Sequence, residues 1–217
     1  MKKFKLSNES IELYGVTLFR IIYLIDIPKC DIKEGDLGGF LQNESNLDHS
    51  GQSAVLEEAK VMGEARVSGD ARVSGEAAVS GQARVRGEAE VFGQAKVFGY
   101  AEVLVGARVY GQARVYGQAK VFGQARVFGD ARVSGEARVS GEARINFNVS
   151  NNNHFICLGQ FGYHNRYLTV SKSNNIINCG CFSGGITEFK ENVKAKYGAD
   201  YGSYSVCILL IDTFLNS

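Results

Sequence analysis

The side chains of this sequence that could do chemistry are few and scattered. Its three histidines are His49, His154 and His164, and its five cysteines are Cys30, Cys157, Cys179, Cys181 and Cys207. A zinc site takes about four ligands, usually from paired Cys-x₂₋₄-Cys motifs. Cys179-Gly-Cys181 is a single Cys-x-Cys in an apolar stretch, so both cysteines read as small buried hydrophobes and no metal site is expected. The glycine-rich GDLGGF (Gly35–Phe40) lacks phosphate-loop spacing and a following Lys-Ser/Thr, and reads as a turn-rich cap segment. Tyr163-His164-Asn165-Arg166-Tyr167 is polar, aromatic and basic just before a strand pattern. His164 and Arg166 are therefore candidate ligand or partner contacts, since binding groups gather on loops. A solvated hairpin approach is the alternative.

The element that must position such groups runs from Ala59 to Ile145. Alanine recurs every six residues from Ala59 to Ala143, and valine follows two positions later from Val61 to Val139, with Ile145 closing the series. Glycine comes two further on, Val105 excepted. A fixed period of six with alternating small-apolar and polar positions marks a parallel β-helix. Ala, Val and Gly share one face of each short strand, and the intervening polar residues take the other. Each buried Val contributes about 1.5–3 kcal/mol, while Gly turns the corners without a side-chain penalty. At Val105 a local distortion or contact is expected. Upstream, Leu47 and Gly51 fall at the Ala and Gly registers, which sets His49 at the inward Val register. The favoured reading of His49 is a hydrogen-bonded cap residue.

These hexads resemble the hexapeptide-repeat family with its left-handed, triangular β-helix of three hexads per coil. Fifteen hexads then imply five coils, in a prism about 24 Å long. The GDLGGF segment and the CGCF-then-helix tail resemble uncharacterised hexapeptide-repeat proteins of bacteria and prophages that carry a transferase label by fold analogy. Acyltransferases of the family use a histidine base near a loop that interrupts the helix, and its γ-class carbonic anhydrases hold zinc on three histidines. Between Ser50 and Asn153 this sequence has neither histidine nor cysteine, and no coil is interrupted. No catalytic residue and no cofactor are assigned. The family resemblance also implies a homotrimer.

The outward positions carry a second signal. After each Val stand Met62, Ser68, Ser74, Ser80 and Arg86, then seven large apolar or aromatic residues: Phe92, Phe98, Leu104, Tyr110, Tyr116, Phe122 and Phe128. Ser134, Ser140 and Asn146 follow. Three hexads per coil spread the seven over all three faces as a girdle. Within it glutamine replaces the acid at Gln94, Gln112, Gln118 and Gln124, leaving Lys96, Arg108, Arg114, Lys120 and Arg126 opposed by Glu102 alone. Aromatic-plus-arginine surfaces suit stacking, anion contacts or a protein interface. Cross-coil ladders would explain the rings but not the missing acids. Phe92, Phe98, Arg108, Tyr110, Arg114, Tyr116, Phe122, Arg126 and Phe128 are the candidate binding residues.

The flanks read as additions to this solenoid. Ile11–Tyr14 and Thr17–Ile25 flank Gly15-Val16 as a β-hairpin. FICLGQF and RYLTVSKSNNIINCGCF read as strands with a Ser171–Asn175 turn, and Thr187–Tyr197 as an amphipathic helix capped by Thr187 and stopped at Gly198. Val206–Leu215 is a helix or a buried strand. The expected organisation is an N-terminal hairpin and cap (1–46), a β-helix (47–146), a linker (147–154) and a small α+β unit (155–217). The fold class is thus an all-β solenoid with these two additions. A net charge of +1 gives no pull towards nucleic acid, and no apolar run is long enough to span a bilayer. The odd cysteine count and the opening MKKFKLSNES point to a reduced cytoplasmic protein, in the host cytoplasm if phage-encoded. The leading expectation is a non-catalytic scaffold that assembles through the girdle and the C-terminal unit. A sequestering protein for a nucleotide-like anion, in phage counter-defence, is second. An acyltransferase with an inter-subunit site is third.

Overall fold

The structure, a computed structural model, describes residues 2–151, 154–161, 166–198 and 202–216. The chain opens with a hairpin, β1 (Phe4–Leu13) and β2 (Val16–Tyr23), followed by β3 (Leu37–Leu41). Its two-residue turn holds both Tyr14 and Gly15 at positive φ, 51° and 74°, the geometry whose twist matches the flanking strands. Short strands β4 (Ala54–Val55) to β19 (Arg144–Ile145) then wind as a parallel β-solenoid. A four-stranded antiparallel sheet follows, made of β20 (Phe155–Phe161), β21 (Arg166–Ser171), β22 (Ile177–Cys179) and β23 (Phe182–Gly184). Helices α1 (Ile186–Tyr197) and α2 (Ser203–Asn216) end the chain, so the Val206–Leu215 run is helical.

Three sheets form the solenoid faces. The first contains the strands of Val61, Val79, Val97, Val115 and Val133, the second those from Val55 to Ile145, the third those from Val67 to Val139. Parallel pairing joins residues one coil apart: Arg72 N–H donates to Ala89 C=O at 2.9 Å and Ser74 N–H to Val91 C=O at 3.0 Å. Every inward Val from Val55 to Val139 is fully buried. Corner glycines have positive φ, and a Cβ on Gly75 would lie 2.9 Å from the Gly93 nitrogen. No L side chain fits that position without strain.

The solenoid starts earlier than the hexads indicate. Phe40 pairs with Lys60 and Leu41 with Val61, so GDLGGF is not a turn-rich cap but supplies the first strand of the first face. With β3 on the first face and β4 on the second, each of these faces is six solenoid strands deep, where five coils were expected. Glycine is required at the junction because a Cβ on Gly39 would meet the Ala59 carbonyl. The register of the first coil differs as well. Leu47 bridges Val67 and takes the inward position, while Gly51 still lies beneath Gly69. Two extra residues bulge between them, and His49 sits in that bulge instead of pointing inward.

Side chains close both ends. At the start, the Tyr23 hydroxyl accepts from Val55 N–H and donates to Val55 C=O, each at 3.0 Å. Asn46 Nδ2 donates to Gly63 and Ala65 carbonyls, and the buried Lys3 ammonium donates to the Ser53 carbonyl and hydroxyl. At the far end, Arg144 N–H donates to Thr169 Oγ1, Asn178 Nδ2 donates to Arg144 C=O, and Phe147 and Val149 cover the last coil. Unpaired strand edges are a liability, and here side chains replace the missing neighbour. The C-terminal sheet and helices share their own core around Leu168, Ile177, Phe189 and Ile211. Helix α1 is capped by Gly185, whose N–H donates to the Glu188 carboxylate, not by Thr187.

Candidate binding surface on the solenoid

The girdle residues stand on strands whose inward Val fixes their height and direction. On the first face Phe98 stacks on Tyr116 at 5.0 Å with planes 1° apart. On the second, Phe92, Tyr110 and Phe128 form a continuous column with centroid spacings of 5.0 and 5.5 Å. The Arg144 guanidinium extends it 5.7 Å above Phe128. Phe122 lies on the third face, one coil from Leu104. The predicted girdle therefore occupies three faces, but its rings are half-buried instead of protruding, and all except Phe122 stack on one another. Each stacked pair contributes about 0.5–1.5 kcal/mol beyond its area, so the ladders hold coils together.

The neighbouring cations differ in what opposes them. Arg108 pairs with Glu90 at 3.0 Å and Lys120 with Glu102 at 3.4 Å. Among the described residues no carboxylate pairs with Lys96, Arg114 or Arg126. Lys96 and Arg114 flank Phe98 in a groove of about 460 Å³. Met62 contributes to its floor, and the hairpin tip at Leu13 and Tyr14 forms one wall. The strands of the first face and the hairpin thus bring a cationic, ring-lined surface under an overhang.

The other sequence-derived residues are dispersed. His49 stacks on Phe4 at 4.5 Å and its Nδ1 accepts from Lys3 N–H, which is the cap role expected, on the bulge described above. His154 hydrogen-bonds Ser150 and Asn151 beyond the last coil, at the opposite end of the solenoid. His164 lies outside the described residues; Arg166 begins β21, and its side chain is also outside them. Cys179 is buried as expected, but Cys181 is exposed, because Gly180 turns the β22–β23 hairpin with φ 60° and places Cys181 outside the core. Burial also raises the pKa of the Cys207 thiol. Val105 holds φ at 64° and is 57 % exposed, a backbone outlier for a β-branched residue.

One residue escaped the sequence reading. Tyr100 is the aromatic at a corner position that otherwise carries an acid, an amide or Gly106, and it is 62 % exposed. Aligning the hexads in columns of three, one per coil, would have isolated it.

The family model described as YdcK beta solenoid repeat matches residues 65–82 and 125–141. Each stretch covers about one coil, so the similarity is to the repeat. Comparison with curated proteins gives no match.

Proposed function

We propose that the chain is a non-catalytic, left-handed solenoid scaffold of the cytoplasm that assembles with copies of itself, as a homotrimer, through its aromatic and basic middle. The observation that carries this reading is the charge left over beside the ring ladders. Lys96, Arg114 and Arg126 have no carboxylate partner among the described residues, and Gln94, Gln112, Gln118 and Gln124 stand where Glu64, Asp70, Glu76, Asp130, Glu136 and Glu142 stand in the end coils. Ring stacking alone has no use for unopposed cations, while an interface enriched in aromatic residues and arginine does. The C-terminal unit supplies a second contact, because α2 leaves Val206, Leu209 and Leu210 exposed along one face. A stable interface needs roughly 800 Å² per partner, which two such patches reach more readily than one.

Sedimentation velocity tests the proposal. The parent is expected as a trimer, and Arg114→Glu with Arg126→Glu as smaller species with unchanged β-structure by circular dichroism. A monomeric parent, or a variant that assembles like the parent, overturns it.

The groove beneath the hairpin tip favours a second reading, sequestration of a nucleotide-like anion between Phe98 and the Lys96 and Arg114 cations. Titration with ATP separates the two. On this reading Lys96→Ala and Arg114→Ala lose ATP binding while oligomer size is unchanged.

A further inference from the structure

A regular repeat contains its own control. What the fold requires at a position is what the other coils place there, so a residue that breaks its column answers to something else. At the corner leading from the first face to the third, the column reads Glu64, Gln82, Tyr100, Gln118 and Glu136. Tyr100 breaks it with a large, exposed ring, and no other ring among the described residues stacks on it, in contrast to the ladder aromatics. The next outward column reads Arg66, Arg84, Glu102, Lys120 and Arg138. Glu102 is the acid among cations. Two departures thus fall two residues apart in one coil, and both border the same groove.

That open groove has a volume of about 800 Å³, and its lining reaches Asn151, beyond the last coil. The Glu102–Lys120 pair lies along it, with the Glu102 side chain 16 % exposed. Glu136 and Arg138 are the other charged members of the lining. Two acids balance two cations, so the site has no net attraction for an anion, unlike the Lys96–Arg114 groove. What it presents is a set of planar carboxylate, amide and guanidinium groups beside one flat aromatic face. Hydroxyls both donate and accept, and planar side chains can hold neighbouring hydroxyls in pairs. The C–H face of a pyranose ring carries partial positive charge that matches the negative face of a tyrosine ring. The volume falls in the range of about 300–1,000 Å³ typical of ligand sites, and the open shape admits a chain.

We propose that this groove binds a neutral oligosaccharide, with Tyr100 as the stacking platform and Glu102 among the groups that hydrogen-bond its hydroxyls. The site lies apart from the ring ladders and unopposed cations of the first and second faces, so it stands or falls separately from the assembly reading.

The chain has no tryptophan, so Tyr100→Trp places a single, selectively excitable indole in the groove and keeps a stacking face. The probes are cellohexaose, maltohexaose, xylohexaose and hexa-N-acetylchitohexaose, titrated by emission with this variant and by calorimetry with the parent. At least one is expected to bind with Kd below about 1 mM, independent of salt. Tyr100→Ala should weaken that binding about tenfold and Tyr100→Phe by less than about threefold, while Arg114→Glu leaves it unchanged. The proposal is overturned if none of the four probes binds, if Tyr100→Ala binds as the parent does, or if affinity falls steeply with salt.

Discussion

Replacing Tyr23 with Phe removes one oxygen and should loosen the start of the solenoid. In every later coil a Val carbonyl accepts from the coil before it, as Val91 does from Ser74 N–H. Val55 has no such neighbour, and the Tyr23 hydroxyl replaces it by donating to the Val55 carbonyl and accepting from the Val55 N–H. Both residues are fully buried, so water cannot substitute. Burial also raises the Tyr23 pKa above its ordinary value, which keeps the hydroxyl proton in place at neutral pH. Tyr23→Phe orphans two buried backbone groups at about 1–3 kcal/mol each, or about 2–6 kcal/mol in total. Tyr110→Phe is the matched control: its hydroxyl makes no hydrogen bond among the described residues, and its loss should stay within about 0.5 kcal/mol. Urea unfolding followed by circular dichroism gives the two values. Amide exchange locates the effect, because a terminal coil contacts one neighbour and opens before the middle. Protection should fall at Val55 and hold at Val115. A Tyr23→Phe chain within about 0.5 kcal/mol of the parent, or with Val55 protection intact, refutes the reasoning.

Lys3 sets a pH dependence. Burial lowers its pKa from 10.5 to about 8, against a smaller opposing pull from Asp48. Below about 8 both folded and unfolded chains carry the proton, and the fold bears the buried charge. Between about 8 and 10.5 the folded chain releases the proton first, so stability should rise with pH across that window and level off above it. Urea midpoints from pH 7.5 to 10 should show the rise in the parent and lose it in Lys3→Met. Two corner glycines should respond differently to alanine. At Gly75 the new methyl meets the Gly93 backbone at 2.9 Å, whereas at Gly129 nothing lies within 4 Å. Gly129→Ala should cost about 1–2 kcal/mol of left-handed strain alone, and Gly75→Ala distinctly more; equal losses would show that the coils yield freely.

Much of this was legible because the hexad is redundant. Fifteen alanines at one spacing leave no competing secondary structure, and their burial follows from the period. What the pattern concealed lay where it lapses. Phe40 and Leu41 belong to the first coil, yet the two-residue bulge before Gly51 puts them out of hexad phase, so His49 was set at an inward position that Leu47 holds. The ladders were half legible: girdle aromatics could be listed by type, but their stacking depends on which hexads share a face. Phe92, Tyr110 and Phe128 do; Phe122 joins none of these columns. Cys181 was misplaced because a tight hairpin at Gly180 has no periodicity to reveal it. Thr187 lost the capping role because Gly185 fits the extended entry to α1 and Glu188 reaches back to its N–H.

The three-faced winding makes length and orientation separable in this molecule. Removing one whole coil would bring the C-terminal sheet closer to the hairpin by the spacing of one strand, about 4.8 Å, and return every later residue to the face it started on. Removing a single hexad would shift it far less along the axis but turn it onto a different face, carrying α2 round to another side of the prism. Ring columns, corner columns and the seat of Asn178 on Arg144 all keep this three-step phase. The sequence can therefore be lengthened or shortened like a counted screw thread, in full turns, without changing which surfaces look in the same direction. Any partial turn re-aims one end of the molecule against the other.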